Sequence, residues 1–73
     1  MEKIAVFPGS FDPFTVGHEE IVNRGLKIFD KIVIAVGVNA LKKEFLDVDS
    51  RVQLIQKVFS YTDRVIVEPY SGL

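Results

Sequence analysis

Ten consecutive residues, Gly9-Ser10-Phe11-Asp12-Pro13-Phe14-Thr15-Val16-Gly17-His18, carry the groups best suited to chemistry in this chain. Ser10 offers a hydroxyl and an amide to an anion, or else makes a local turn hydrogen bond. Gly9 and Gly17 are points where the backbone turns freely; they either serve the turn alone or let the chain approach a ligand closely. His18 is the only histidine. It is either a surface or packed residue, or a donor to a phosphoryl oxygen, as neutral imidazole or as an imidazolium stabilised by bound phosphate. Asp12 and Thr15 are read as holding the loop's shape through backbone hydrogen bonds. Lys42 and Lys43 are solvated loop charges unless one reaches the same anion as a flexible point charge. The chemistry open to this set is phosphate binding and stabilisation of charge developing at phosphorus.

Such groups need a strand to end, and a helix to begin, at one place. Ile4-Ala5-Val6-Phe7 predicts a buried strand over about Lys3 to Phe7. Ile21, Val22, Leu26 and Phe29 recur at helical spacing, with Glu19, Glu20, Asn23, Arg24 and Lys27 opposite, which predicts a helix over about Gly17 to Phe29. A strand-to-helix turn presents unpaired amides and the positive end of a helix dipole together. Gly25 within that helix either marks close packing on a sheet or is simply tolerated. Lys31 to Val38 is Ile, Val and Ala apart from Lys31 and Gly37, without polar alternation, the pattern of a parallel strand covered on both faces. A polar stretch follows from Asn39 to Asp49. Asp47 then caps a second helix whose buried stripe is Val52, Ile55, Val58 and Phe59. Arg64 to Glu68 reads as a third strand, and Pro69 to Leu73 as a turn leaving it. The order β-α-β-α-β predicts parallel strands joined by helical crossovers, half of a doubly wound, Rossmann-like α/β sheet. Ligands of such sheets bind beyond the carboxyl ends of the strands, where three segments converge: Pro8 to Gly17, Asn39 to Lys43, and Pro69 to Leu73.

Composition narrows the classes. The chain has 73 residues, 48% hydrophobic, and fits one domain at most. A core of that size supports roughly 3–5 kcal/mol of net stability. Cysteine is absent, which removes disulfides and thiolate chemistry and suits a reducing cytoplasm. A net charge of -1, from 9 basic and 10 acidic residues well mixed, argues against a nucleic-acid surface. The longest apolar run, Ile32 to Val38, is far short of the roughly 20 residues that span a bilayer. Met1-Glu2-Lys3 has no signal-peptide pattern. The loop lacks the lysine and Ser/Thr ending of a P-loop and does not match Gly-x-Gly-x-x-Gly.

Gly9-Ser10-Phe11-Asp12-Pro13, followed by Thr15-x-Gly17-His18, resembles the signature of the nucleotidyltransferase superfamily. Phe7-Pro8 before it, and Phe29-Asp30, Lys42-Lys43 and Arg51 after it, narrow the resemblance to bacterial phosphopantetheine adenylyltransferase over essentially the whole chain. The resemblance implies transfer of an adenylyl group from ATP to 4′-phosphopantetheine, giving dephospho-coenzyme A and pyrophosphate in the cytoplasm. It implies that Gly9, Ser10, Phe11, Gly17 and His18 bind ATP. Ser10 and Lys42 would bind the substrate phosphate, and the catalytic residues would be His18, which stabilises the transition state, and Lys42. Mg²⁺ would neutralise the polyphosphate, with no residue assigned as its ligand. The family is typically hexameric, which implies a homo-oligomer. Ser10 replaces a common threonine, Val16 a frequent asparagine, Glu44 a usual proline and Leu46 a usual aromatic. Family members continue for about as many residues again, so residues 1–73 are expected to be the N-terminal part of a single nucleotidyltransferase domain, with little activity alone. Two alternatives stand beside this. Mononucleotide adenylyltransferases and glycerol-phosphate cytidylyltransferases share the loop, usually with histidine at the place of Thr15. A non-catalytic half-domain would bind phosphates or associate with itself.

Overall fold

Branched aliphatic residues at consecutive positions favour extended backbone, and the three such runs of this chain become the three strands. The computed structural model describes residues 1–38 and 43–71. Along the chain lie β1 (Ile4–Gly9), α1 (Val16–Gly25), β2 (Lys31–Val38), α2 (Val48–Val58) and β3 (Val65–Ser71). The strands form one parallel sheet in the order β1-β2-β3. Three parallel strands with intervening helices are the Rossmann-like α/β arrangement expected from the sequence.

Register fixes which side chains share a face. Ala5 pairs with Ile32, and Ile32 with Val65; Phe7 pairs with Ile34, and Ile34 with Val67. These residues line one side of the sheet. Val22 of α1 and Ile55 of α2 join Ile32, Ile34, Val36 and Val67 in a single buried cluster, with Phe59 just beyond α2. Both helices therefore pack on that side. Close approach is real at Gly25, where a Cβ would sit 2.6 Å from the δ-methyl of Ile32.

The other side carries Ile4, Val6, Val33 and Ile66. Ile4 is 53% and Val6 63% exposed. The expectation that β2 is covered on both faces is thus met on one face only among the described residues. Its unbroken apolar run lacks polar alternation even though Val33 and Ala35 are only half-buried.

The end of α1, the end of β3 and the exposure of Ile21 differ from the sequence reading. α1 stops at Gly25, not Phe29, and Leu26 to Phe29 form a tight turn through Lys27 N–H to Arg24 O and Ile28 N–H to Gly25 O. Leu26 and Phe29 still pack on the core, so the turn preserves their helical spacing. Arg64 closes the turn by donating to the carbonyls of Leu26, Phe29 and Asp30. Ile21, read as part of the buried stripe, is 53% exposed. β3 runs on through Pro69 to Ser71, so no turn begins at Pro69. β3 is an edge strand here, where a proline without an N–H is tolerated. The convergence at the carboxyl ends accordingly involves loops after β1 and β2, with Tyr70 and Ser71 still paired to Gly37 and Val38.

Candidate functional site

The β1–α1 loop is held at both ends. At its start, Phe11 adopts a positive φ of 50°, an uncommon conformation for a residue with a side chain, and buries its ring at 3% exposure. A Cβ on Gly9 would lie 2.8 Å from Cζ of that ring. Glycine is thus required at position 9 to seat the Phe11 ring, while the left-handed backbone belongs to Phe11. With its ring in the core, Phe11 has only backbone to offer a ligand. The Asp12–Pro13 peptide is cis.

Asp12 does hold the loop, as expected, but to a distant partner. Its two carboxylate oxygens accept from the amides of Phe45 (2.6 Å) and Leu46 (2.7 Å). This fastens the β1–α1 loop to the β2–α2 loop.

At the loop's far end Thr15 is the N-cap of α1. Its hydroxyl accepts from the His18 amide at 3.4 Å, and its own amide donates to His18 Nδ1 at 2.9 Å. The two bonds form a capping box in which histidine takes the place usually held by Glu or Gln. A backbone amide can only donate, so Nδ1 is the acceptor and the proton of the neutral ring sits on Nε2. Rings of Phe11, Phe14 and Phe7 stand 5.0, 5.4 and 6.2 Å from the imidazole centroid. Among the described residues Nε2 has no hydrogen-bond partner, leaving one N–H donor on a ring fixed by its cap. Val16 and Gly17 add first-turn amides beyond the reach of any intrahelical carbonyl. A Cβ at Gly17 would meet only the Thr15 hydroxyl, at 3.7 Å.

A cleft of about 270 Å³ opens at the carboxyl ends of β1 and β2, lined by Ser10, Gly37, Lys43, Glu44 and Arg51 among others. It brings Ser10 and Lys43 together, and His18 does not line it. Lys42 lies outside the described residues.

Sequence reasoning assigned no role to Arg51 or Gly37. Arg51 enters the sequence reading only as part of the family resemblance; it lies within α2, 1% exposed. Its guanidinium reaches backbone carbonyls of three segments and pairs with Glu44 at 2.8 Å. A charged residue at the fourth position of an amphipathic helix, in line with Ile55, was the available signal.

At the α2 start, the Asp47 side chain accepts from the Ser50 amide at 2.7 Å. That bond, aided by the Ser50 side chain and the Arg51 charge, lowers its pKa below the ordinary 3.8.

Known proteins match this chain along almost its full length. The profile of the cytidylyltransferase-like family covers residues 6–73. The phosphopantetheine adenylyltransferase of Cytophaga hutchinsonii is 52% identical over 73 residues, 100% of this chain and 49% of that protein. The enzyme of that name from Geotalea daltonii is 49% identical over 71 residues, 97% of this chain and 44% of that protein. The chain spans about half the length of the curated relatives it matches. Among solved structures, a bifunctional NMN adenylyltransferase/ADP ribose pyrophosphatase from Francisella tularensis, complexed with AMP and a Mn ion, has a TM-score of 0.81 at 26% identity. The match covers 99% of this chain and 23% of that one. The NadR protein in complex with NAD and AMP-PNP has a TM-score of 0.85 at 16% identity, over 97% of this chain and 21% of its own, a likeness of fold alone. With its strand, cap and loop geometry inside a profile match from residue 6 to residue 73, the chain belongs to the cytidylyltransferase-like family.

Proposed function

We propose that this chain carries the phosphate-binding loop of an adenylyltransferase that moves AMP from ATP to 4′-phosphopantetheine, giving dephospho-coenzyme A and pyrophosphate. The observation that carries this reading is the capped His18: its Nε2–H and the Val16 and Gly17 amides gather at one helix start. Relatives about half identical across the whole chain, all named phosphopantetheine adenylyltransferase, support the choice of acceptor over a mononucleotide.

In this reading a phosphate oxygen of phosphopantetheine attacks the α-phosphorus of ATP, and the bond to the bridging oxygen of pyrophosphate breaks. The attacking oxygen is already anionic at neutral pH, so positioning and charge stabilisation are the protein's share of the work. His18 Nε2–H donates to an α-phosphoryl oxygen as charge builds there. Ser10 and Lys42 bind the acceptor's phosphate, and the amides of residues 9–11 and 16–17 meet ATP.

The described residues do not form a cage for Mg²⁺. No three His, Asp or Glu side chains converge among them, and both Asp12 oxygens are occupied by amides. The ion would arrive on the triphosphate, which supplies its ligands and whose charge it lowers. Among the described residues no helix is long and apolar enough to cross a membrane, and the relation to a cytoplasmic homo-oligomer rests on the sequence resemblance.

Amide spectra recorded while ATP and 4′-phosphopantetheine are added test the reading. Ser10, Phe11, Val16, Gly17 and His18 should shift, and His18→Ala should weaken ATP binding while sparing the acceptor. Nicotinamide mononucleotide and glycerol phosphate should bind less tightly than phosphopantetheine. Shifts confined to other residues, or a preference for the mononucleotide, would sink it.

A further inference from the structure

We propose that Arg51 is a positioning residue of the phosphate site: without touching ligand, it sets the opening between the ends of β1 and β2. The inference rests on the phosphate-site reading above and adds to it a residue from α2.

The geometry is specific. One terminal nitrogen, Nη1, donates to the Ser10 carbonyl at 2.6 Å and to the Gly37 carbonyl at 3.1 Å. Nε donates to Leu46 O at 3.0 Å, with Asp47 O at 3.4 Å. Nη2 donates to Glu44 Oε1 at 2.8 Å. One planar fork thus ties the first loop, the end of β2 and the second loop together. Ser10, Gly37 and Glu44 all line the cleft, so each of these anchor points lies on its rim.

The two strand ends lie close here: a Cβ on Gly37 would stand 3.4 Å from the Gly9 carbonyl, ordinary van der Waals contact.

A purely stabilising role accounts poorly for this choice of residue. Burying a guanidinium costs free energy, and a core built around an apolar residue here, with no carbonyl or carboxylate left facing it, would avoid that cost. The arginine spends its donors on backbone carbonyls of the rim, which fixes the plane of the Ser10–Phe11 peptide and so where the Phe11 amide points. The side chain is 1% exposed and the hydrogen bonds of its guanidinium all run to protein groups, so its part is to hold the rim.

Inorganic triphosphate is the probe, titrated by calorimetry into the chain, into Arg51→Lys, and into Val52→Ala as a core control from the same helix. At a temperature where all are folded, R51K should bind at least about tenfold more weakly, because lysine cannot span the three segments. V52A should stay within about threefold of the parent. Exchange of the Ser10 and Phe11 amides in R51K should rise at least about tenfold, with β3 amides unchanged. Equal losses in both variants, or a folded R51K that binds normally, would reduce Arg51 to a structural role and overturn the proposal. Should R51K fail to fold, the parent's Arg51 N–H protons decide: triphosphate should slow their exchange, and indifference would overturn the proposal equally. If the parent itself fails to bind triphosphate, the phosphate-site reading falls, and the amide exchange in R51K still judges the positioning role.

Discussion

The two ends of the β1–α1 loop are held by opposite means. From Thr15 to His18 the bonds are local, between residues three apart, and exposed. From Ser10 to Asp12 they are long-range, between residues 33 to 41 apart: the Ser10 carbonyl accepts from buried Arg51, and the Asp12 carboxylate from amides of the second loop. The local end can form as soon as α1 nucleates. The distant end exists only once β1, β2 and α2 are all in place. The difference implies that loosening the core would disturb Ser10 before it disturbs the imidazole.

The largest test of that contrast is Arg51→Met. It leaves the Ser10 and Gly37 carbonyls and the Glu44 carboxylate without their partner, a loss of about 3–5 kcal/mol. A domain of this size has roughly that much in total, so the variant should be unfolded at 25 °C by circular dichroism. A folded R51M with a parental melting curve would break the comparison.

Next comes Gly9→Ala. Its methyl would press on the buried Phe11 ring, and overpacking of that kind costs about 1–3 kcal/mol. Urea denaturation should show the midpoint fall at constant slope.

Thr15→Ala acts at the local end. It removes the hydroxyl half of the cap but leaves the Thr15 amide bonded to Nδ1, for a cost of about 1 kcal/mol. The imidazole should keep its proton on Nε2, and the Ser10 amide should not move. Coupled movement of Ser10 would show that the two ends are not independent.

The smallest effect is a pH dependence at Asp47. Its folded pKa lies below 3.8, chiefly through the Ser50 amide. A depressed carboxylate stabilises the fold above its unfolded pKa, and that stabilisation is lost as pH falls through the folded value. Melting temperatures followed from about pH 5 to pH 2 should therefore drop, and Asp47→Asn should flatten part of the drop. An identical acid profile in the variant would remove Asp47 from the account.

The same contrast explains what was legible in the sequence. β2 reads from Lys31 to Val38 because its apolar run is unbroken, and the Asp47 cap reads because capping is a matter of neighbours. The site's local end was equally plain, since Thr15, Gly17 and His18 act within one helical turn. Arg51 was opaque: nothing near position 51 reveals that a carbonyl at position 10 will accept its proton. The seat of the Phe11 ring was hidden for the same reason, because its place in the core depends on Gly9 and on packing from distant segments. Pro69 looked like a stop, yet an edge strand has no use for its missing N–H, and edge or centre is settled only by the assembled sheet. Uneven coverage of the two sheet faces is invisible in β2 alone, where both sides are apolar.

The central claim is that His18 presents an Nε2–H donor, fixed by the helix cap, to a nucleotide's phosphates. Nitrogen-15 spectra of the imidazole, recorded before and during addition of ATP, address it directly. The account predicts a proton on Nε2 from the outset and a shift of that nitrogen on saturation. A proton resident on Nδ1, or ring signals unmoved by saturating ATP, would contradict it.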